Sequence, residues 1–286
     1  MSEQPSIILR VAARAAKILP APARQALYRL GPLSRLLRRT LNRAAPTGYS
    51  PMTVAAGDLA GLHFCLDLQE EKDLWLGTYE PDLQAVVREL VQPGMLVYDV
   101  GANIGYVSLL LARRVGPQGR VIAFEALPTN VDRLRQNLAL NPELASRVEV
   151  QPRAVVDRPG QVLFLVHASV GMGKVAGSAG RQETYQESIE IPAVSLDDFV
   201  YDEGHPLPQA IKIDIEGGEV LALPGMRRVL EEGHPLLLME IHGPQAARVT
   251  WETLSPLGYR LSAMAPGLPS IAGPEELRWK TYLVAR

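Results

Sequence analysis

The chain has 286 residues, a formal net charge of −2 at pH 7 and 47% hydrophobic residues. This length suits one large α/β domain with an appended segment, and two enzymatic domains would be cramped. The single cysteine, Cys65, excludes an intramolecular disulfide and is compatible with a reducing compartment. No apolar run approaches the roughly 20 residues of a membrane span. The amino terminus lacks a compact apolar region with a cleavage site, so we expect a cytoplasmic protein.

The charge is unevenly distributed along the chain. Residues 1–50 contain nine Lys and Arg against one acid, a net charge of +8, which leaves −10 for the remainder. A nucleic-acid binder needs a basic surface on its ordered domain, and an acidic body does not offer one. We therefore expect no nucleic-acid partner.

The pattern of the basic segment 1–50 predicts a helical extension. Residues 6–19 predict an amphipathic helix with an apolar stripe beside a basic one, formed by Ile7, Val11, Ala15 and Ile18 and by Arg10, Arg14 and Lys17. A second such helix is predicted around Leu33 to Arg43. Two interpretations stay open: the helices pack on the body or on a second subunit, or they lie on an anionic membrane surface.

Residues 51–94 form a lead-in of short elements, with strand patterns near 53–56 and 62–66, and Pro93-Gly94 marks the turn into the main domain. From residue 95 to 286 strand and helix patterns alternate, which predicts a parallel sheet with right-handed crossovers. The first predicted strands and helices cover residues 96–100, 104–114, 120–125, 128–140 and 148–151. Later strands cover 210–214, 236–241 and 281–285, with a helical region over 217–231. The elements near 259–261 and 281–285 should pair antiparallel, because no clear helix separates them.

The middle of the domain departs from this alternation. Residues 161–166 and 187–194 read as strands around a stretch rich in Gly and Ser. That stretch, residues 167–182, shows no apolar periodicity. We interpret it as a substrate loop or lid.

A glycine turn follows the first strand of the domain. The run Val97–Gly105 contains Gly101, Asn103 and Gly105, and Glu125 ends the next apolar strand. Glycines let the backbone turn tightly against a ligand, and an acid in the second position can accept the hydroxyls of a ribose. The segment predicts a nucleotide-cofactor site in a βαβ unit.

The charge of this turn favours one cofactor over another. A dinucleotide presents an anionic pyrophosphate and usually meets three glycines, whereas this turn has two and is preceded by Asp99. Asp99 would repel pyrophosphate but could bind the ammonium of a methionine moiety. We expect S-adenosylmethionine, with an NAD-dependent oxidoreductase as the alternative.

A second group of charged residues ends the later strands. Lys212, Asp214 and Glu216 occupy alternate positions of a buried strand. They form either an ion-pair row or part of a site at the carboxyl edge of the sheet. His242, after the following strand, is the best general-base candidate, with a hydrogen bond to its own loop as the alternative. Acids at these strand ends could also chelate Mg²⁺, but without a dense Asp/Asn cluster after Glu240 we expect no metal.

Taken in order, four blocks of the chain resemble the FkbM-type S-adenosylmethionine-dependent methyltransferases. They are Leu76–Pro81, Asp99–Tyr106 with Val121–Glu125, Val194–Asp198 and Lys212–Glu219. The resemblance implies a class I, Rossmann-like sheet of seven mostly parallel strands. It also implies methyl transfer to a hydroxyl of a small molecule, either a carbohydrate or a polyketide-like natural product.

The resemblance also assigns roles to residues. It implies that Tyr79 and Glu80 border the cofactor pocket, so that the lead-in would cover the cofactor. Asp99, Gly101 and Gly105 would then hold the methionine end and Glu125 the ribose. Asp214 and His242 would meet the acceptor hydroxyl. A non-catalytic protein with the same fold remains a further alternative.

Overall fold

The structure, a computed structural model, describes residues 7–19, 39–167, 172–180, 185–277 and 281–286. The chain divides into two compact units. The first is drawn from Met1–Pro81 and Gln136–Pro142, and the second from Asp82–Arg135 and Glu143–Arg286. In the part of the chain described, none of the helices combines the length and the apolar character needed to cross a bilayer.

The first unit holds a helix, a two-stranded hairpin and a short second helix. These are α1 (Ile7–Ile18), β1 (Tyr49–Thr53), β2 (His63–Asp67) and α2 (Lys72–Leu76). β1 pairs antiparallel with β2. Asparagine side chains complete the other edge of β2: Asn137 Oδ1 accepts from the Cys65 N–H at 2.8 Å, and Asn141 Nδ2 donates to the His63 carbonyl at 2.6 Å.

A seven-stranded sheet organises the second unit. Its strand order is β12-β13-β11-β10-β3-β4-β5. The strands are β3 (Leu96–Val100), β4 (Arg120–Phe124), β5 (Val148–Gln151), β10 (Ala210–Ile213), β11 (Leu236–Ile241), β12 (Leu261–Ala263) and β13 (Thr281–Ala285). β13 runs antiparallel to β11 and β12, and the other pairings are parallel. This is the seven-stranded, mostly parallel α/β fold of class I methyltransferases, and the sequence prediction of the fold class is confirmed.

Helices connect these strands. They are α3 (Pro81–Leu90), α4 (Tyr106–Val115), α5 (Pro128–Ala139), α6 (Pro142–Ala145), α7 (Glu219–Ala222), α8 (Arg227–Gly233) and α9 (Pro244–Leu254). The single helical region predicted over residues 217–231 is in fact α7, a 3₁₀ turn at Leu223–Met226 and α8. Pro224 and Gly225 explain the break, because proline has no N–H to donate and glycine is a poor helix former.

A second, four-stranded sheet occupies the middle of the domain, with the order β6-β9-β7-β8. Its strands are β6 (Ala154–Val155), β7 (Gly160–His167), β8 (Gly173–Val175) and β9 (Tyr185–Val194). β8 falls inside the stretch that we predicted as a loop or lid. Three residues that begin with Gly173 are too short for a periodic signal. Residues 168–171 and 181–182 of that predicted lid lie outside the described residues.

Some predicted boundaries shift. The strand predicted at 53–56 is displaced to Tyr49–Thr53, and the helix predicted from residue 104 begins at Tyr106. The predicted amino-terminal helix is confirmed as α1. Of the second basic helix, residues 20–38 lie outside the described part of the chain, and residues 39–44 are helical. Our division of the chain into residues 1–50, 51–94 and 95–286 stays a prediction.

Three aromatic rings mark the centre of the large core. Tyr98, Phe124 and Phe199 meet edge to face, with centroid separations of 5.0 to 5.7 Å, and each ring is at most 1% exposed. The Tyr98 hydroxyl donates to the Pro206 carbonyl at 2.6 Å, which satisfies the one polar group of the cluster. These rings lie on β3, β4 and the segment before β10. They therefore hold in place the strand ends that carry the charged residues.

We expect Phe199→Ala to lower the free energy of unfolding by about 3–5 kcal/mol, because it removes a fully buried ring and leaves a cavity. Urea denaturation followed by circular dichroism measures the change. Leu163→Ala is the control, since Leu163 is 44% exposed, and it should change stability by less than about 0.5 kcal/mol. Equal effects of the two substitutions would contradict this view of the core.

Candidate active site

The glycine turn between β3 and α4 is fastened to the end of β4. The N–H groups of Gly101 and Ala102 both donate to the Phe124 carbonyl, at 3.0 and 2.9 Å. Gly101, Asn103 and Gly105 have positive φ angles of 82°, 49° and 86°. A Cβ at Gly101 would lie 1.9 Å from the Asp214 carbonyl oxygen, so only glycine fits there. The turn therefore packs directly against the chain that leaves β10.

Glu125 is buried and fixed by the backbone around it. Its Oε2 accepts from the Asn103 N–H at 2.7 Å, and its Oε1 accepts from the Leu127 N–H at 2.9 Å. Burial raises the pKa of this carboxyl, and these hydrogen bonds oppose the rise. Asn130 Nδ2 also donates to Oε1, at 3.4 Å. A carboxylate offers about four lone-pair positions, so these three bonds leave it able to accept from a hydroxyl.

Asp99 and Lys212 form a buried ion pair next to this turn. Lys212 Nζ lies 3.4 Å from Asp99 Oδ1 and donates to the Gly101 carbonyl at 2.8 Å. Asp99 Oδ2 accepts from the Ser108 hydroxyl at 2.6 Å, and the Asp99 side chain is fully buried. We expected Asp99 to meet the ammonium of the cofactor. Lys212 and Ser108 each contact one Asp99 oxygen, and Oδ1 accepts no hydrogen bond from the described residues. The contact of Asp99 with the cofactor stays a prediction.

His242 follows β11 and lies among four carboxylates. Its Nδ1 is 3.2 Å from Glu219 Oε1. Its Nε2 is 3.4 Å from Glu240 Oε1 and 3.8 Å from oxygens of both Asp214 and Glu216. The imidazole is 1% exposed, whereas Asp214 and Glu216 are 20% and 30% exposed. Solvent therefore reaches Asp214 and Glu216 but not the imidazole.

Strand alternation does not explain this convergence. β10 ends at Ile213, and Glu216 has a positive φ of 53°. The chain therefore turns after the strand, and it is the turn that brings Asp214 and Glu216 to His242. Glu219, to which the sequence assigned no role in the site, begins α7, is fully buried and contacts the histidine. The two-residue spacing of Glu240 and His242 was the signal available in the sequence.

The electrostatics separate the roles of His242 and Asp214. Burial lowers the pKa of His242, but hydrogen bonds to Glu219 and Glu240 and the charge of Asp214 outweigh it and raise the pKa to about 10. Burial raises the pKa of Asp214 to about 6, against the opposing charges of Lys212 and His242. His242 is thus protonated at neutral pH while Asp214 is ionised. A protonated imidazole cannot accept a proton, so the directions of these pKa shifts favour Asp214 over His242 as a proton acceptor, and the general-base role of His242 stays a prediction.

One atom from each of Asp214, Glu240 and His242 could hold a metal ion, since these atoms lie within 4.8 Å of one another. Histidine must be neutral to coordinate a metal, and the surrounding acids favour its protonated form. Our expectation that no metal takes part stays a prediction.

The small sheet touches the charged turn after β10. The Ala179 N–H donates to the Gly217 carbonyl at 2.9 Å, and Lys174 Nζ donates to the Ala179 carbonyl at 3.0 Å. Burial lowers the pKa of Lys174, and the charge of Glu216 opposes this effect. The segment we predicted as a substrate loop thus packs beside Glu216 where it is described.

Two of the sequence blocks have local structural explanations. Asp197 Oδ1 and Oδ2 accept from the N–H groups of Val229 and Arg228, at 2.8 and 3.0 Å, at the start of α8. Tyr79 and Glu80 belong to the first unit and follow α2, where Glu80 has a positive φ of 40°. Their contact with the cofactor stays a prediction.

The residues present fit S-adenosylmethionine. This ligand carries a sulfonium and an ammonium group, and its ribose has two hydroxyls. Glu125 has acceptor capacity for one of these hydroxyls. At the strand ends five carboxylates lie near two cationic groups, so this edge of the sheet is net negative. The cationic groups are Lys212 and His242, and the carboxylates are Asp99, Asp214, Glu216, Glu219 and Glu240. A cationic ligand suits this edge, and a pyrophosphate does not.

Comparisons with known proteins agree with this assignment. The model of the methyltransferase FkbM domain matches residues 99–261. Hexuronic acid methyltransferase AglP of Haloferax volcanii is 25% identical over 163 residues, which cover 57% of this chain and 62% of AglP. The 31-O-demethyl-FK506 methyltransferase FkbM of Streptomyces tacrolimicus is 28% identical over 212 residues, with 65% of this chain and 79% of that protein covered. The match thus spans about three fifths of AglP.

A solved structure is also similar. The crystal structure of methyltransferase FkbM from Methylobacillus flagellatus aligns with a TM-score of 0.46 at 21% identity, covering 77% of this chain and 54% of that one. The family model alone spans more than half of the present chain. The cofactor is S-adenosylmethionine, and the dinucleotide alternative is left without support. The chain belongs to the FkbM methyltransferase family.

Proposed function

We propose that this protein transfers the methyl group of S-adenosylmethionine to a hydroxyl oxygen of a glycan or a natural product. The observation that carries the proposal is the partly exposed, ionised Asp214 at the carboxyl edge of the sheet, beside the glycine turn. In doubly wound sheets this edge is where ligands bind. A hydroxyl acceptor needs a group there that can take its proton.

The cofactor would be held by the turn and by the acid that follows β4. Gly101, Asn103 and Gly105 shape the turn, and Glu125 would accept from a ribose hydroxyl. Bound there, S-adenosylmethionine supplies an electrophilic methyl group. Lys212 keeps the turn in place through the Gly101 carbonyl, so its role is positioning.

Asp214, rather than His242, would accept the proton of the acceptor hydroxyl. A base with a pKa near 6 is ionised at neutral pH and close enough to it for effective general-base catalysis. Glu216, whose oxygen lies at the same 3.8 Å from His242, would orient the acceptor. His242 and Lys212 supply the positive charge that lets these carboxylates lie close together.

Methyl transfer to oxygen is an in-line displacement in which charge is dispersed. Alignment of the two reactants can therefore supply most of the acceleration. Base assistance adds about 10²–10⁴-fold in rate. This division predicts that loss of the base leaves a slow but measurable reaction.

The acceptor class rests on the relatives. AglP is named for a hexuronic acid, and the Streptomyces protein for a demethylated FK506 oxygen. Both names point to hydroxyl-rich small molecules, so we propose a glycan or small-molecule acceptor. The cytoplasmic location and the lack of a nucleic-acid partner stay predictions.

A direct assay tests the proposal. The purified protein is incubated with S-adenosylmethionine carrying a tritiated methyl group and a panel of uronic acid glycosides, neutral glycosides and macrolide alcohols. Transfer of label to an ether oxygen, located by NMR of the product, supports the proposal. Label on carbon or nitrogen would contradict O-methylation, and cofactor binding without any transfer across the panel would favour the non-catalytic alternative.

We expect Glu125→Gln to weaken the binding of S-adenosylmethionine by roughly tenfold to hundredfold, as measured by calorimetry. A hydrogen bond to a charged group contributes about 1.5–3 kcal/mol. Glu143→Gln is the matched control, because the Glu143 side chain is 90% exposed. Wild-type affinity in Glu125→Gln would remove this residue from the cofactor site.

We expect Asp214→Asn to lower kcat by about 10²–10⁴-fold, because an amide cannot accept the proton. Cofactor affinity should be retained. In the wild type, kcat should fall below pH 6 as Asp214 becomes protonated and should level off above it. The variant should lack this acid limb. Asp157→Asn, at a carboxylate with a 43% exposed side chain, is the control, and an unchanged pH profile in Asp214→Asn would exclude the role.

We expect the His242 imidazole to remain protonated from pH 6 to 9, because the surrounding carboxylates raise its pKa to about 10. NMR titration of ¹⁵N-labelled protein reads the charge of each ring directly, and His242→Gln assigns the signal. Since the folded-state pKa exceeds the ordinary value, the stabilisation should be full below about pH 6.5 and should decline towards pH 10. A ring that titrates near pH 6.5 would restore His242 as the general-base candidate.

A further inference from the structure

Helix α1 exposes its apolar stripe instead of packing it. Ile7, Val11 and Ile18 are 71%, 61% and 80% exposed, whereas Leu9 and Ala16 are 2% and 7% exposed. At 3.6 residues per turn the first three residues share one side of the helix, and the last two lie opposite. The apolar stripe of α1 is therefore exposed in the structure, and both interpretations offered for this helix stay open on this observation alone.

Basic side chains follow the exposed stripe along one flank. Arg10, Arg14 and Lys17 are all exposed, and α1 contains no acidic residue. Arginine and lysine can lie along an apolar surface while their charged ends reach the surrounding headgroups. A helix that exposes large apolar side chains next to cations on the same face has the character of an interfacial membrane helix.

We propose that α1 docks this protein on an anionic membrane surface, with Ile7, Val11 and Ile18 entering the headgroup boundary and Arg10, Arg14 and Lys17 on anionic headgroups. Charge complementarity favours an anionic membrane as the partner of this face. A second copy of the chain would place the same three cations opposite themselves across a two-fold interface, which is unfavourable. An anionic bilayer meets both the apolar and the basic part of the face.

The size of the helix agrees with this role. Twelve residues make a helix about 18 Å long, long enough to lie in the interface and too short to cross it. Attraction between a lipid surface and three basic residues should raise the partition coefficient by about a hundredfold over a neutral surface, roughly fivefold per charge. The docking adds to the proposed methyl transfer and does not depend on it.

The test is co-sedimentation of the full chain with vesicles. One set contains phosphatidylglycerol mixed with phosphatidylcholine, and the other contains phosphatidylcholine alone. We expect the wild-type chain to pellet with the anionic vesicles, much less with the neutral ones, and progressively less as salt is raised. Equal pelleting with both sets, or pelleting with neither, would overturn the proposal.

Two pairs of matched variants locate the contact. Val11→Glu/Ile18→Glu should abolish pelleting, while Tyr49→Glu/Leu163→Glu, at positions 48% and 44% exposed, should pellet like the wild type. Arg10→Ser/Arg14→Ser/Lys17→Ser should lower the partition coefficient by about a hundredfold. The control Arg158→Ser/Arg227→Ser/Arg248→Ser removes the same charge from side chains at least 72% exposed and should have a far smaller effect.

The substituted side chains of α1 are exposed, so the variants should keep the wild-type melting temperature and cofactor affinity. Variants of α1 that pellet like the wild type would overturn the assignment to this helix. Analytical ultracentrifugation tests whether this face of α1 binds a second copy of the chain. A wild-type dimer that the glutamate variant dissociates, together with no binding of the wild type to vesicles, would assign the face to that second copy.

Discussion

The buried ammonium of Lys212 is the interaction on which the site depends. Lys212 is 4% exposed and lies opposite Asp99 in the parallel register of β10 and β3. A buried lysine is tolerated only when it is paired and hydrogen-bonded. Its contacts reach Asp99, the Gly101 carbonyl and Asp214. One side chain thus joins the end of the first strand, the glycine turn and the carboxylate proposed as the base.

The same charge balance governs the chemistry. Acids of the charged edge outnumber its cations, and the buried Glu219 and Glu240 contact His242 and raise its pKa. Asp214 is partly exposed, and its pKa lies below that of His242. The positive ring and the positive lysine behind it limit the repulsion between carboxylates.

Much of this could be predicted from the residues alone. The glycine turn, Glu125 and the alternation of strands and helices depend on local pattern and on the fixed edge of a parallel sheet. The raised pKa of His242 could not be predicted, because it depends on carboxylates from the turn after β10, the start of α7 and the end of β11. The contact of Lys174 and Ala179 with the turn after β10 was also hidden, since a three-residue strand has no periodicity. For α1 the stripe was visible, but only the structure shows which side is exposed.

The most direct measurement is a calorimetric titration with S-adenosylmethionine of the wild type and of the double variant Asp99→Leu/Lys212→Met. Removing both charges leaves no unpaired buried ion from this pair, so the fold should survive. The account predicts that the wild type binds and that the folded double variant binds at least about tenfold more weakly, because its glycine turn has lost the lysine hydrogen bond. Equal affinity in the two proteins would contradict the central role given to Lys212.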